Sequence, residues 1–286
     1  RCAIALMLFN PTRNKGYAYD SHYGRHSDLW LKMRRNSEES ELVTAEHIEK
    51  MRRYGVDSNT YRVKVLGLPP QSSMGGLFPY DAIQDAIERE FDISEFDPSM
   101  GSVDAGGGGD TSVVCVRTGP IAVFHEKSTP DPDDLADWAW SMLTKEGATV
   151  AFVDHIGLGW YLTKALTNRG INARKADSRS RKDLREPDKF YNKRAEMYWD
   201  LSLAFINRAI SIPNDENLIN ELGAITTDYV AGKIKIEDKK EIRKKLGFSP
   251  DRADALAMTF YKPDSLFRKS DRRISMKIDF NKIFMR

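Results

Sequence analysis

Four aspartates stand where this chain could do chemistry. Asp104 closes the run Gly101-Ser102-Val103, Asp154 closes Val150-Ala151-Phe152-Val153, and Asp251 and Asp254 follow Ser249-Pro250 at the head of a helical pattern. Strands that end together would bring the first two close, and a spacing of three puts the second two on one helix face. Carboxylates crowded in this way repel one another, and hard divalent cations such as Mg²⁺ or Mn²⁺ relieve the repulsion while taking oxygen ligands. Two such ions, roughly 3.5 to 4 Å apart, hold an attacking water and a leaving phosphate oxygen in line for phosphodiester hydrolysis. Each residue also has a plainer role. An aspartate beside glycines forms turns, and Asp251 complements the positive end of a helix dipole. Asp254 precedes Ala-Leu-Ala-Met and so lies near a buried face. The joint pattern, rather than any one residue, carries the chemical reading.

The elements that must position these groups follow from periodicity. Residues 101–116 read as a hairpin: a short apolar run, the turn Gly106 to Gly109, and the β-branched run Thr111-Ser112-Val113-Val114. A dinucleotide-binding loop would need a helix after the glycines, whereas a strand sequence follows. Residues 121–125 add a third strand. Helices are predicted over 132–145, 160–168, 192–208 and 218–225, and strands over 149–153 and 232–236. Ser249 is expected as an N-cap, with Pro250 at the first helical position. Upstream, residues 3–9 read as a buried strand, 44–55 as a short amphipathic helix and 61–66 as a half-buried strand. Residues 68–79 concentrate Pro, Gly and Ser and read as a linker, and a helix follows over 80–90.

Composition narrows the class. With 286 residues, 41% of them hydrophobic, the chain can bury a large core, and no apolar run reaches the ~18 to 20 residues that cross a bilayer. Cys2 and Cys115 lack metal-ligand spacing and read as ordinary thiols. The first residue is Arg1, directly before an apolar run, which suggests a piece of something longer. Net charge is only +2, yet residues 169–185 hold seven Lys or Arg against two Asp. Arg174, Lys175, Arg179, Arg181, Lys182 and Arg185 could follow a phosphate backbone without reading sequence, and Lys233 and Lys235 could add contacts. A solvated basic loop is the plain alternative. Strand alternation points His155 away from Asp154, and Tyr198 and Trp199 fall at core spacing on the long helix.

Taken together, Gly101-Ser-Val-Asp-Ala-Gly-Gly-Gly-Gly-Asp-Thr-Ser-Val-Val, Phe152-Val-Asp-His-Ile-Gly-Leu-Gly, Phe190-Tyr-Asn-Lys-Arg-Ala-Glu-Met-Tyr-Trp and Ser249-Pro-Asp-Arg-Ala-Asp-Ala-Leu-Ala resemble the nuclease domain of tailed-bacteriophage terminase large subunits. The resemblance implies an α/β fold, an RNase H-like (RuvC-like) mixed β-sheet flanked by helices, that cuts concatemeric double-stranded viral DNA. Asp104, Asp154, Asp251 and Asp254 match the family's catalytic metal ligands. Members differ over which of the last two is indispensable, so both are kept. Asn192, Lys193 and Glu196 lie in a matching motif without a physical role assigned.

The resemblance further implies that residues 1–70 are the end of a P-loop packaging ATPase domain. Asn10 and Thr12 match its coupling motif, and residues 37–40 and 61–67 follow in the family's order. Residues 71–98 would then be linker, 99–262 nuclease and 263–286 a basic tail. The implied cofactors are two Mg²⁺ or Mn²⁺ ions, and the implied partners are double-stranded DNA, the terminase small subunit and the portal protein, in the host cytoplasm and away from membranes. The Gly-x-x-x-x-Gly-Lys-Ser/Thr loop is absent, so ATPase activity is not expected of this stretch, and ATP would be bound only by a missing N-terminal part. A resolvase or recombinase of the same fold, or a DNA-binding motor-coupling module without catalysis, are the competing expectations.

Overall fold

Two apolar runs that each end in an aspartate lie side by side at the centre of a mixed sheet. The computed structural model describes residues 5–12, 16–52, 56, 58–70, 76–94, 97–107, 110–182 and 184–261. In it β1 (Ser99–Asp104), β2 (Thr111–Thr118) and β3 (Ile121–Ser128) form an antiparallel meander. On the other side of β1, β4 (Val150–Asp154) and β5 (Ala173–Ala176) add in parallel, giving the order β3-β2-β1-β4-β5.

Side chains alternate between the two faces of this sheet, and both faces are covered. Val103, Val114, Val116, Ala151 and Val153 pack against α5 (Pro132–Lys145) and α6 (Gly159–Asn168), through residues such as Leu135, Leu143 and Leu162. Val113, Cys115, Val150 and Phe152 face the other way. There they join Ile83 of α4 (Tyr80–Glu88), Leu201 of α7 (Lys193–Ile206), Leu218 of α8 (Glu216–Ala224), Ile242 of α9 (Lys239–Leu246) and Leu256 of α10 (Asp251–Met258). Burial on both sides is why β2 and β4 read as continuous apolar runs instead of alternating ones. A separate hairpin, β6 (Thr227–Val230) with β7 (Lys233–Ile236), leads into α9. Among the described residues no helix is long and apolar enough to cross a membrane.

The N-terminal segment departs from expectation. After α1 (Tyr17–His22) and α2 (Ala45–Arg52), residues 61–66 do not form a strand, because α3 spans Asn59–Lys64, capped by the Ser58 hydroxyl accepting from Tyr61 N–H at 3.1 Å. Their alternation has another cause: Tyr61 and Val65 pack with Ile48 and Met51 of α2, whereas Val63 turns into the main core. Of the strand expected over 3–9, residues 5–9 carry no regular structure, with Leu6 80% and Leu8 84% exposed, and residues 1–4 lie outside the described residues.

The segment read as a linker is also more than a tether. Its helix α4 buries Tyr80, Ile83 and Ala86 in the main core, and residues 71–75 are not described. Helix α3 meets the same body through Lys64, which pairs with Glu216 at 2.9 Å. At the other end, α10 starts at Asp251 with Pro250 as its N-cap, one position later than expected. Cys2, the basic tail beyond residue 261, and Gly108 and Gly109 of the glycine turn lie outside the described residues.

Candidate functional site

Strand register sets the first half of the site. Val103 pairs with Val153 in the parallel ladder, so the next residues, Asp104 and Asp154, lie together at the C-terminal ends of the inner strands β1 and β4. The chain after Asp154 turns straight into α6, and a Cβ at Gly159 would stand 1.5 Å from the Asp154 carbonyl oxygen. Only glycine lets the helix start this close to the backbone at the end of β4.

Helix α10 brings the second half. It lies over β1, where the buried Ser102 hydroxyl donates to the Ala255 carbonyl at 2.6 Å. Asp251 and Asp254 both fall in its first turn. No side chain of its own N-cap residue caps this helix; instead the Glu221 carboxylate of α8 accepts from Ala253 N–H at 2.8 Å. Burial pushes the Glu221 carboxyl well above its ordinary value, opposed by that hydrogen bond and by Arg252.

Three of the four aspartates meet at one cation, the Lys239 ammonium. Lys239 Nζ lies 3.3 Å from Asp104, 3.0 Å from Asp251 and 3.0 Å from Asp254. Burial raises the Asp104 carboxyl to about 7; Lys239 opposes the shift, and Asp254, Asp251 and Asp154 add to it. Asp254 goes the other way: burial alone would raise it, but Arg194 and Lys239 hold it well below the usual carboxylate range, helped by Tyr198. Burial would lower the Lys239 ammonium, yet the three carboxylates keep it well above its ordinary value. Asp154 lines the same cleft, of about 250 Å³, with Arg179, Arg194, Lys239 and Asp254. Its carboxylate accepts from Ile156 N–H at 3.3 Å, and burial raises it.

Among the described residues no group of three or more His, Cys, Asp or Glu is spaced to hold an ion as it stands. The reason is visible in the geometry: the carboxylates are splayed around an ammonium at hydrogen-bond distance, whereas Mg²⁺ draws its oxygens in to about 2.1 Å. The donor set is all oxygen and negatively charged, and a cation already sits between its members. Those are the properties a hard divalent ion requires.

The basic residues singled out by sequence differ in exposure and in how firmly they are engaged. Lys175, Arg179, Arg181 and Lys182 are exposed, and Arg179 reaches the carboxylate cleft. Arg174 donates to Asn172 at 3.3 Å. Arg181 lies 4.0 Å over the Tyr191 ring, and Lys235 approaches the same ring at 5.8 Å while pairing with Asp238 at 2.9 Å. Arg185 differs, since its side chain pairs with Asp200 and Glu196 and its N–H donates to Glu196 at 2.8 Å. Lys193 and Glu196, both fully buried, bond each other at 2.5 Å. Asn192 caps α7, accepting from Ala195 N–H at 3.0 Å. His155 is exposed, its N–H extending the pairing with β5 through the Ala176 carbonyl. Lys233 stands at the β6–β7 turn.

Asn10 lines a second, larger cleft of about 510 Å³ with His22, Tyr23 and Arg34, and Thr12 N–H donates to its carbonyl at 2.8 Å.

Sequence reasoning missed three residues of the carboxylate site. Lys239 opens a lysine-rich surface helix and carries no local mark of its role. Arg194 and Tyr198 sit on α7 and both donate to Asp254, at 2.9 Å and 2.6 Å. Tyr198 is fully buried, as core spacing predicts, but its hydroxyl faces the site.

No family model matches the chain. Over 111 residues it is 38% identical to a probable terminase large subunit of Enterobacteria phage P7, a match covering 36% of this chain and only 22% of that protein's length. Among solved structures it is similar to the nuclease domain of the large terminase subunit of bacterial virus Sf6, with a TM-score of 0.54 and 23% identity, covering 66% of this chain and 99% of that domain. A lysine-to-alanine mutant of that domain, solved with manganese, gives 0.55 at 21% identity over 66% of this chain and 99% of the other. The fold is RNase H-like, a mixed sheet flanked by helices, and the resemblance to terminase large subunits read from the sequence is borne out.

Proposed function

We propose that this chain is the nuclease part of a viral genome-packaging terminase, a metal-dependent endonuclease that cleaves concatemeric double-stranded DNA. The observation that carries this reading is the convergence of Asp104, Asp251 and Asp254 on one ammonium in a cleft that Asp154 also lines. Nothing in the core needs three carboxylates there; crowding them costs stability unless a cation is held.

Asp104, Asp154, Asp251 and Asp254 would hold two Mg²⁺ or Mn²⁺ ions, which when bound supply Lewis-acid stabilisation of the phosphate and an activated water. The chain's own residues do the rest. Asp104 and Asp154 are fixed at the ends of two inner strands, and Asp251 and Asp254 by the first turn of α10, so the site is built on rigid elements. Lys239, on a surface helix, balances the carboxylates and can withdraw along its flexible stem when another cation takes its place. Arg179, which lines the cleft, together with Arg174, Lys175, Arg181, Lys182, Lys233 and Lys235, would offer phosphate contacts that position a duplex without reading its sequence. Arg185 supports this loop through Asp200 and Glu196.

The family resemblance carried by the sequence motifs implies further assignments that belong to the same proposal. Residues up to about 70, with Asn10 and Thr12, would be the end of the packaging ATPase domain, and the small subunit and portal would be partners in the host cytoplasm. The direct test incubates the chain with supercoiled plasmid and with linear duplex in Mg²⁺, Mn²⁺ or chelator. Cleavage that needs the metal and disappears in Asp104→Ala is expected. Retained DNA binding with no cleavage under any metal would refute the nuclease reading, and strict preference for a four-way junction would redirect it to a resolvase.

A further inference from the structure

The two oxygens of Asp254 have different surroundings. Oδ1 accepts from the Tyr198 hydroxyl at 2.6 Å and from Arg194 Nη2 at 2.9 Å, whereas Oδ2 faces Lys239 at 3.0 Å. A carboxylate with one oxygen held by two donors cannot turn about its Cβ–Cγ bond without losing both. The donors are themselves fixed. Arg194 Nη1 donates to the Glu237 carbonyl at 2.8 Å, its guanidinium lies 5.1 Å over the Tyr198 ring, and its backbone N–H donates to the Ser178 carbonyl at 2.7 Å. Tyr198 is fully buried, with its ring against Phe78. Asp251 has no comparable support: its carboxylate meets the Ser249 hydroxyl at 2.5 Å and Lys239 at 3.0 Å. Ser249 lies on the loop before the helix, so among the described residues no donor rooted in the core orients that group.

We infer that Tyr198 and Arg194 are positioning residues for Asp254. They tie Oδ1 to α7 and present Oδ2 to the cation, which makes Asp254 the fixed ligand of the helical pair and Asp251 the adaptable one. This inference rests on the metal-site reading above. It also gives α7 a double task, because Arg194 links the basic loop, through Ser178, to the metal carboxylate.

The test is the affinity of the full chain for Mn²⁺ without DNA, read from the electron paramagnetic resonance of the free ion. Tyr198→Phe removes one hydroxyl, changes no charge and keeps the ring packing. It should weaken Mn²⁺ binding about tenfold, the lower range for loss of a group that orients a ligand. Arg194→Lys, which keeps the charge but loses the forked geometry, should weaken binding likewise and carries the test alone if Tyr198→Phe does not fold. Asp254→Asn should weaken binding more than Asp251→Asn does. Binding within twofold of wild type in Tyr198→Phe and Arg194→Lys, with Asp254→Asn defective, overturns the inference and leaves the metal site standing. Wild-type Mn²⁺ affinity in both Asp104→Asn and Asp254→Asn overturns the metal-site reading and this inference with it.

Discussion

Helix α10 stands between two clusters, each of three carboxylates around one basic side chain, and they differ in what holds the cation. Around Lys239 are Asp104, Asp251 and Asp254. Around Arg252, one residue along from Asp251, are Glu126 at 2.7 Å, Glu221 at 3.5 Å and Asp215 at 3.6 Å. Arg252 belongs to α10 itself and its side chain is only 16% exposed; Lys239 comes from a surface helix and is 42% exposed. A planar, rooted guanidinium bonds its neighbours with several donors at once, and another ion does not replace it easily. An ammonium on a flexible stem is a movable point charge. The Arg252 cluster therefore ties α8, α10 and β3 together, whereas on the proposed reading the Lys239 cluster exchanges its cation for a metal ion. Similar charge arithmetic would then give a structural site in one place and, on the proposed reading, a metal site in the other.

That contrast can be broken or sharpened by experiment. The largest effect is expected on cleavage: Asp104→Asn should reduce metal-dependent nicking of plasmid DNA by about 10⁴-fold, roughly 5.5 kcal/mol of barrier, in a gel assay. Next comes Arg252→Met, which leaves the buried Glu221 without its ion-pair partner and Glu126 and Asp215 without their shared cation. It should cost about 3 to 5 kcal/mol in denaturant unfolding, and Mn²⁺ should not restore it.

A smaller effect should follow metal addition itself. Mn²⁺ at a hundred times its dissociation constant should stabilise the wild-type chain by about 2.7 kcal/mol, and a chelator should reverse the gain. Asp104→Asn should show little of it. The smallest effect is expected from Lys239→Met. The Lys239 side chain is partly exposed, and the buried Asp104, already raised to about 7, can take a proton in place of the ammonium. Unfolding should change by no more than about 1 kcal/mol. A loss as large as that of Arg252→Met would show that the two clusters do the same work.

Much of this arrangement was legible in the chain. Asp104 and Asp154 announce themselves because each closes an apolar run, whereas the parallel pairing of β1 with β4 that joins them is read from the register alone. Asp251 and Asp254 are marked by their spacing at the start of α10. Lys239 is invisible by the same logic, since it sits among Lys240, Lys244 and Lys245 in a helix whose lysines are otherwise solvated. Only the tertiary fold tells it apart.

Tyr198 shows a different limit. Periodicity placed the ring in the core correctly, but a period says nothing of where a hydroxyl ends. The cap of α10 comes from Glu221, 32 residues before the N–H it accepts from, so a search of the local sequence could not find it. In α3 the alternation of Tyr61, Val63 and Val65 imitated a strand because the helix is wedged between two clusters.

The most direct test of the central claim is a crystal of the chain soaked with Mn²⁺ and measured at a wavelength where manganese scatters anomalously. The account predicts anomalous density within ligand distance of Asp104 and Asp254 Oδ2, with the Lys239 ammonium displaced from the carboxylates. Full soaking with no density there, and Lys239 still paired to all three aspartates, would contradict it.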